Sequence, residues 1–187
     1  MIIFIDGYQN CGKTTLIEKC KYKHNRFPFN QYLNKFNLYT KNELNGFQFG
    51  KDLGMLFGLQ YVNENIIFDR GPLSSVYYSL KENRYGESTH KIIFDFLKEI
   101  SQYNNIRFVF IKKINDKQNI KRLHNDGFDY LNDDHDLERE YTFDEMNYLA
   151  KSAGIKINTF INDYSKPLNE NQIEFDRLLE ELINEHN

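Results

Sequence analysis

Short apolar runs alternate along this chain with longer segments in which apolar residues return every three or four positions. The runs Ile2–Ile5 (behind Met1), Ile66–Phe68 and Ile106–Ile111 predict buried strands. Phe36–Thr40 predicts a further short strand, and the alternation of Ile155–Ile161 predicts a last one. Leu16, Ile17 and Cys20 share one helical face, as do Val76, Tyr77 and Leu80. Thr89 to Ile100 reads as an amphipathic helix through Ile92, Ile93, Phe96, Leu97 and Ile100. Asn169 to Glu185 closes the chain as another, carrying Ile173, Leu178, Leu179, Leu182 and Ile183. Phe47 to Tyr61 predicts a helix packed over a pocket, and Asp116 caps a helix bearing Ile120, Arg122 and Leu123. Asn125 to Tyr141 is polar and charged and reads as a loop. Thr142-Phe143-Asp144-Glu145 then forms a capping box for a helix that Gly154 stops. Strands alternating with helices predict an α/β fold with a parallel sheet covered on both faces.

Composition narrows the class. The chain has 187 residues, enough for one domain with a real core. Its formal charge is −3, from 24 basic and 27 acidic residues, which argues against nucleic acid bound along its length. Two cysteines, Cys11 and Cys20, make neither a disulfide framework nor a metal spacing, so a reducing, cytoplasmic setting is expected. The first strand begins at once, leaving no room for a signal peptide, and no apolar run nears the ~20 residues of a membrane span. His124 and His135 lie near aspartates at irregular spacing, which favours solvated side chains over a metal site.

The chemistry concentrates at two strand ends. Gly7-Tyr8-Gln9-Asn10-Cys11-Gly12-Lys13-Thr14 matches G-x-x-x-x-G-K-[ST] in full, between a strand and a helix as that motif requires. The glycines let the backbone curl so that successive amides point at phosphate oxygens, helped by the helix N-terminus. Gly7, Asn10, Cys11, Gly12, Lys13, Thr14 and Thr15 are the expected nucleotide-binding residues. Lys13 would reach the β- and γ-phosphates of ATP, and the Thr14 hydroxyl would ligate Mg²⁺. Asp69-Arg70 follows the strand Ile66–Phe68, with Gly71-Pro72 and a helix after it. In an open parallel sheet the ligand crevice lies outside the carboxyl ends of the strands. Asp69 there suits a metal-bound water or a substrate hydroxyl, and Arg70 suits phosphate oxygens. The basic run Lys19–Arg26 reads either as a solvated helix end or as a place where Arg26 meets an anionic substrate. Phe47, Phe49 and Phe57 read as core, with one of them, Phe57 foremost, open to stacking on a nucleobase.

Together these residues resemble the thymidylate kinase and deoxynucleoside kinase branch of the P-loop kinases. Phe4-Ile5-Asp6-Gly7 through Gly12-Lys13-Thr14-Thr15 is similar to that family's opening strand and loop. Ile67-Phe68-Asp69-Arg70, with Ser74, Ser75 and Tyr77 after it, looks like the Asp-Arg signature of thymidylate kinases; nucleoside kinases of the branch more often show Glu-Arg-Ser. Arg26-Phe27-Pro28 resembles a stretch whose arginine holds the substrate phosphate, and Met55-Leu56-Phe57 a substrate helix. Gln60 stands where that helix would carry an arginine, and Gln9 and Asn10 stand where the phosphate loop usually has an acidic residue. The resemblance implies a three-layer P-loop NTPase fold: a five-stranded parallel sheet, helices on both faces, and a lid over about residues 113–141. All 187 residues would form that one domain. Arg122 and Arg139 would close over the nucleotide with the lid. Expected catalytic residues are Lys13, Asp69, Arg70, Arg122 and Arg139; Arg26, Phe57 and Arg70 would bind substrate, and Thr14 and Asp69 the metal. The expected activity is ATP-dependent phosphoryl transfer to a deoxynucleoside monophosphate, thymidylate foremost, without membrane or nucleic-acid partners; a homodimer is what the resemblance implies. A deoxynucleoside kinase, a kinase of polynucleotide 5′-hydroxyls or DNA bases, and a non-catalytic nucleotide-binding module are the alternatives.

Overall fold

The computed structural model describes residues 1–8, 10–26, 50, 54, 64–81, 87–103, 105–114 and 134–185. The expected strand at 36–40, Phe57, the helix after Asp116 and Arg122 lie outside the described residues, as does all of the 47–61 helix except Gly50 and Gly54. Five strands form one parallel sheet: β1 (Ile2–Gly7), β2 (His24–Arg26), β3 (Ile66–Asp69), β4 (Ile106–Ile114) and β5 (Ile157–Asp163), in the order β2-β3-β1-β4-β5. The α/β expectation holds. The most apolar run, β1, takes the centre and is buried along its whole length. Its neighbours are the other two apolar runs, because a strand covered on both faces needs no polar side.

Helices α1 (Lys13–Lys19) and α5 (Leu168–Asn184) pack together. Helices α2 (Pro72–Lys81), α3 (Glu87–Tyr103) and α4 (Asp134–Ser152) pack against one another. Phe4, Phe68 and Phe108 stand at one register level across β3, β1 and β4, and Phe4 packs its ring against both neighbours. Gly71 approaches this row from the β3–α2 turn: a Cβ there would lie 2.6 Å from Phe4 Cδ1. Phe4 is fully buried and cannot yield. Gly71→Ala is therefore expected to destabilise the fold by about 1–3 kcal/mol, read from thermal or urea unfolding.

Four expectations need correction. Residues 134–141 are not loop: α4 runs unbroken from Asp134 to Ser152, so Thr142–Glu145 lies inside a helix and is no N-terminal cap. The charged sequence gives no apolar periodicity to read; the helix as a whole packs on α2 and α3. Lys113 and Ile114, at the other border of the expected lid, belong to β4. The basic run is not a continuing helix; α1 ends at Lys19 and His24–Arg26 forms the edge strand β2. In the amphipathic helices, Ile92 and Ile173 face solvent, at 62% and 67% exposure, while Phe175 takes a core position on α5. Gly154 does end α4, at φ 79°, with the Ile155 amide bonding Ala150 O at 2.8 Å and the Gly154 amide bonding Lys151 O at 2.9 Å.

On the α2–α3 side, Ser79 Oγ and His90 Nε2 lie 2.8 Å apart in the interior. Burial pushes the His90 imidazole below its ordinary value. A folded-state value below the unfolded one makes this group's contribution complete above about pH 6.5 and eroded as pH falls below it. Melting temperature is expected to drop below about pH 6.5, and His90→Gln should flatten that limb.

Candidate active site

The phosphate loop leaves β1 at Gly7, which has no room for a side chain: a Cβ would meet Ile111 O at 2.6 Å and Cys11 Sγ at 2.8 Å. Asn10 (φ 57°) and Gly12 (φ 76°) both take the left-handed conformation, giving the curl expected around an anion. Two of the loop's amides are committed within the protein: Tyr8 N–H bonds Ile111 O at 3.2 Å, and Cys11 N–H bonds Tyr8 O at 3.4 Å. The expectation that successive loop amides point at phosphate oxygens is thus corrected for these two. Gly12 precedes α1, whose first turn holds Lys13 and Thr14 toward β3 while Thr15 faces solvent.

Parallel pairing of β1 and β3 aligns Ile5 with Asp69, bringing the two strand ends together. Asp69 is 4% exposed; its Oδ1 lies 3.2 Å from Lys13 Nζ, and its Oδ2 accepts the Thr14 hydroxyl at 3.1 Å. An ammonium, a hydroxyl and a carboxylate thus converge beside the loop. Arg70 follows at φ 79°, a strained conformation for a side-chain-bearing residue, and its amide bonds Ile5 O at 2.9 Å. Burial pushes the Tyr78 phenol up, while the hydrogen-bonded Arg70 guanidinium pulls it down. Burial likewise raises the Cys11 thiol, against Lys13, so Cys11 is a neutral packing group in the loop.

Other residues were not among those singled out. Asp6, wholly buried at the end of β1, accepts the Gly71 amide at 2.9 Å and the Ser74 hydroxyl through Oδ1, tying β1 to the Asp69–Arg70 turn. Tyr8 donates to Glu140 Oε1 at 2.6 Å, and Glu140 Oε2 pairs with Lys112, so α4 is fastened to the phosphate loop. Burial, then Glu140, drive the Tyr8 hydroxyl far above the ordinary phenol range and keep it a donor. Arg139, one residue before Glu140, is 6% exposed on α4 rather than on a loop. Arg26 ends β2 in register with Asp69, at the same carboxyl edge of the sheet.

The donor set fits a divalent cation: Thr14 Oγ1 and Asp69 supply hard oxygen ligands, directly or through water, beside a loop shaped for phosphate. Among the described residues no group of three or more His, Cys, Asp or Glu gathers as a metal cluster, and no helix is long and apolar enough to cross a membrane.

No protein-family model matches the sequence, and no curated protein matches it. Solved structures do. Deoxyadenosine kinase from M. mycoides with products dCMP and a flexible dCDP bound is 20% identical and superposes at a TM-score of 0.57, covering 97% of this chain and 100% of that one. The same enzyme with bound dATP is 18% identical at a TM-score of 0.57, covering 96% and 100%. With bound dCTP the values are 20%, 0.52, 97% and 100%. The chain has the fold of a P-loop kinase. At this identity the likeness speaks to architecture, and the chemistry must be argued from the residues.

Proposed function

We propose that the protein transfers the γ-phosphoryl group of Mg·ATP to a deoxynucleoside monophosphate, thymidylate foremost. The convergence of Lys13, Thr14 and Asp69 at the phosphate loop carries the reading of phosphoryl transfer. Such a transfer asks little covalent chemistry of the protein; positioning and charge stabilisation dominate. The loop amides not committed elsewhere orient the donor phosphates, and Lys13 swings from Asp69 to the charge on the moving group. Mg²⁺, when bound, neutralises charge on the β- and γ-phosphates; Thr14 would hold it and Asp69 would orient its water. Arg70, directly after Asp69, would meet phosphate oxygens, and Arg139, buried on α4, would be a further cation for the transferred charge.

The choice of acceptor rests on the carboxyl edge. Arg26 is the last residue of β2, level with Asp69 in the ladder, so the residue type at that strand end is basic rather than acidic. A cation there suits a substrate phosphate, which has a second pKa near ~6 and needs no general base. A nucleoside 5′-hydroxyl needs a base, and Asp69 would have to serve while also attending the metal. A deoxynucleoside kinase is nonetheless the second reading, favoured by the likeness to deoxyadenosine kinases.

Purified protein with Mg·ATP would be offered the four deoxynucleosides, their 5′-monophosphates and a 5′-hydroxyl oligonucleotide, with product identified in each case. Conversion of thymidylate above all others is expected. Conversion of nucleosides alone would move the assignment to the second reading, and ATP hydrolysis indifferent to any acceptor would refute phosphotransferase function.

A further inference from the structure

The phosphate loop is gripped from a strand that carries no part of its motif. Asn162, 4% exposed near the end of β5, donates Nδ2 to Cys11 O at 2.9 Å. Tyr164, just past that strand, donates its hydroxyl to Asn10 O at 2.9 Å. These two carbonyls belong to the peptides at the apex of the loop. A trans peptide is planar, with C=O and N–H pointing in opposite directions. Holding Cys11 O toward β5 therefore points the Gly12 amide away from β5, into the hollow of the loop. Holding Asn10 O in the same way presents the Cys11 amide to Tyr8 O, which closes the turn.

The fit is close. A Cβ on Gly12 would stand 2.4 Å from Asn162 Nδ2 and 3.3 Å from the Tyr164 hydroxyl, so glycine is needed there for the brace as well as for its positive φ. The bracing residues are themselves fixed. Asp163 between them is clasped by Asn171 of α5, which accepts its amide at 3.2 Å and donates to its carbonyl at 2.8 Å. The Tyr164 amide bonds Ile114 O at 3.1 Å, and Asp163 Oδ1 accepts the Ser165 amide at 2.9 Å. Asn171 is 2% exposed, so the clasp works in a dry setting where an unmade hydrogen bond is costly.

We propose that Asn162 and Tyr164 are positioning residues of the nucleotide site, setting the direction of the phosphate-loop amides from outside the loop. The inference rests on the reading that this loop binds nucleotide phosphates. Asn10 is held in the left-handed conformation, so the loop has a reason to relax when its outer bonds are cut. Relaxation turns amides off the phosphates while leaving contacts to the nucleoside part of the donor intact.

The test is direct titration with a fluorescent ADP analogue in Mg²⁺, and with adenosine by calorimetry, for the wild-type chain, Asn162→Ala, Tyr164→Phe and Lys13→Ala. Asn162→Ala is expected to weaken ADP about tenfold, and Tyr164→Phe several-fold, with adenosine affinity unchanged. In turnover the same variants should raise KM for ATP while KM for the acceptor stays put. Asn162→Gln, with a longer arm but the same donor, should recover more affinity than Asn162→Ala. Wild-type ADP affinity in both brace variants, against a loss in Lys13→Ala, would overturn the proposal and leave the nucleotide site standing. Equal losses for ADP and adenosine would overturn it as general damage to the fold. Absence of ADP binding by the wild-type chain would refute the nucleotide reading, and the proposal with it.

Discussion

Lys13→Ala is expected to lower phosphoryl transfer on the order of 10³-fold. A fixed donor aimed at charge developing in the transition state is worth about 10²–10³ even when neutral, and Lys13 brings a full charge to a site it occupies almost wholly buried. The variant will not be silent in stability. Removing the ammonium leaves Asp69 with a buried carboxylate and one compensating interaction fewer, a change of the kind that costs about 3–5 kcal/mol. Alanine's helix propensity at the start of α1 offsets only a small part. Single-turnover transfer should therefore be measured well below the variant's own melting temperature, with circular dichroism confirming the fold. Transfer within tenfold of wild type would mean the chemistry lies elsewhere.

Asp69→Asn is the second large effect, about 10²-fold or more in turnover. The substitution keeps shape, and the amide oxygen can still accept the Thr14 hydroxyl now held at 3.1 Å. What is lost is charge: the tether for Lys13 and the attraction for a divalent cation. Turnover should become dependent on higher Mg²⁺, and part of the loss should be recovered by raising it. The two acceptor classes give a sharper reading. A monophosphate acceptor, needing no base, should keep the residual rate that Mg²⁺ restores, whereas transfer to a nucleoside hydroxyl should stay low at any Mg²⁺.

The parts of this molecule that were legible in advance are those whose signals are local. The phosphate loop is a contiguous motif between a strand and a helix, and β1, β3 and β4 are apolar because both their faces are covered. Strand β2 was not legible: three polar residues, His24-Asn25-Arg26, are an edge strand only because β3 offers them a ladder. The first half of α4 was equally silent, since its charged sequence resembles a loop until Glu140 meets Tyr8 and Lys112. Asn162 and Tyr164 could not have been picked out at all. An asparagine and a tyrosine at the end of a predicted strand are unremarkable, and their role depends on β5 lying beside β4, whose Ile111 carbonyl faces Gly7 and the Tyr8 amide. Spacing within a motif can be read along the chain; a brace from 151 residues away cannot.

Strand order has a consequence for how the protein comes to exist in a cell. The central strand precedes the other four described strands in the chain, yet Ile2 pairs with Ile66 on one side and Ile106 on the other. Contacts so distant in sequence form slowly, because the intervening chain must be closed before they give any return. Until then the segment Met1–Ile5 is an unpaired apolar strand, the form most prone to sticking to its own kind. A ligand held by the finished site binds only the folded chain and draws the equilibrium toward it. Yields on refolding are therefore expected to rise with nucleotide present and to fall steeply with protein concentration.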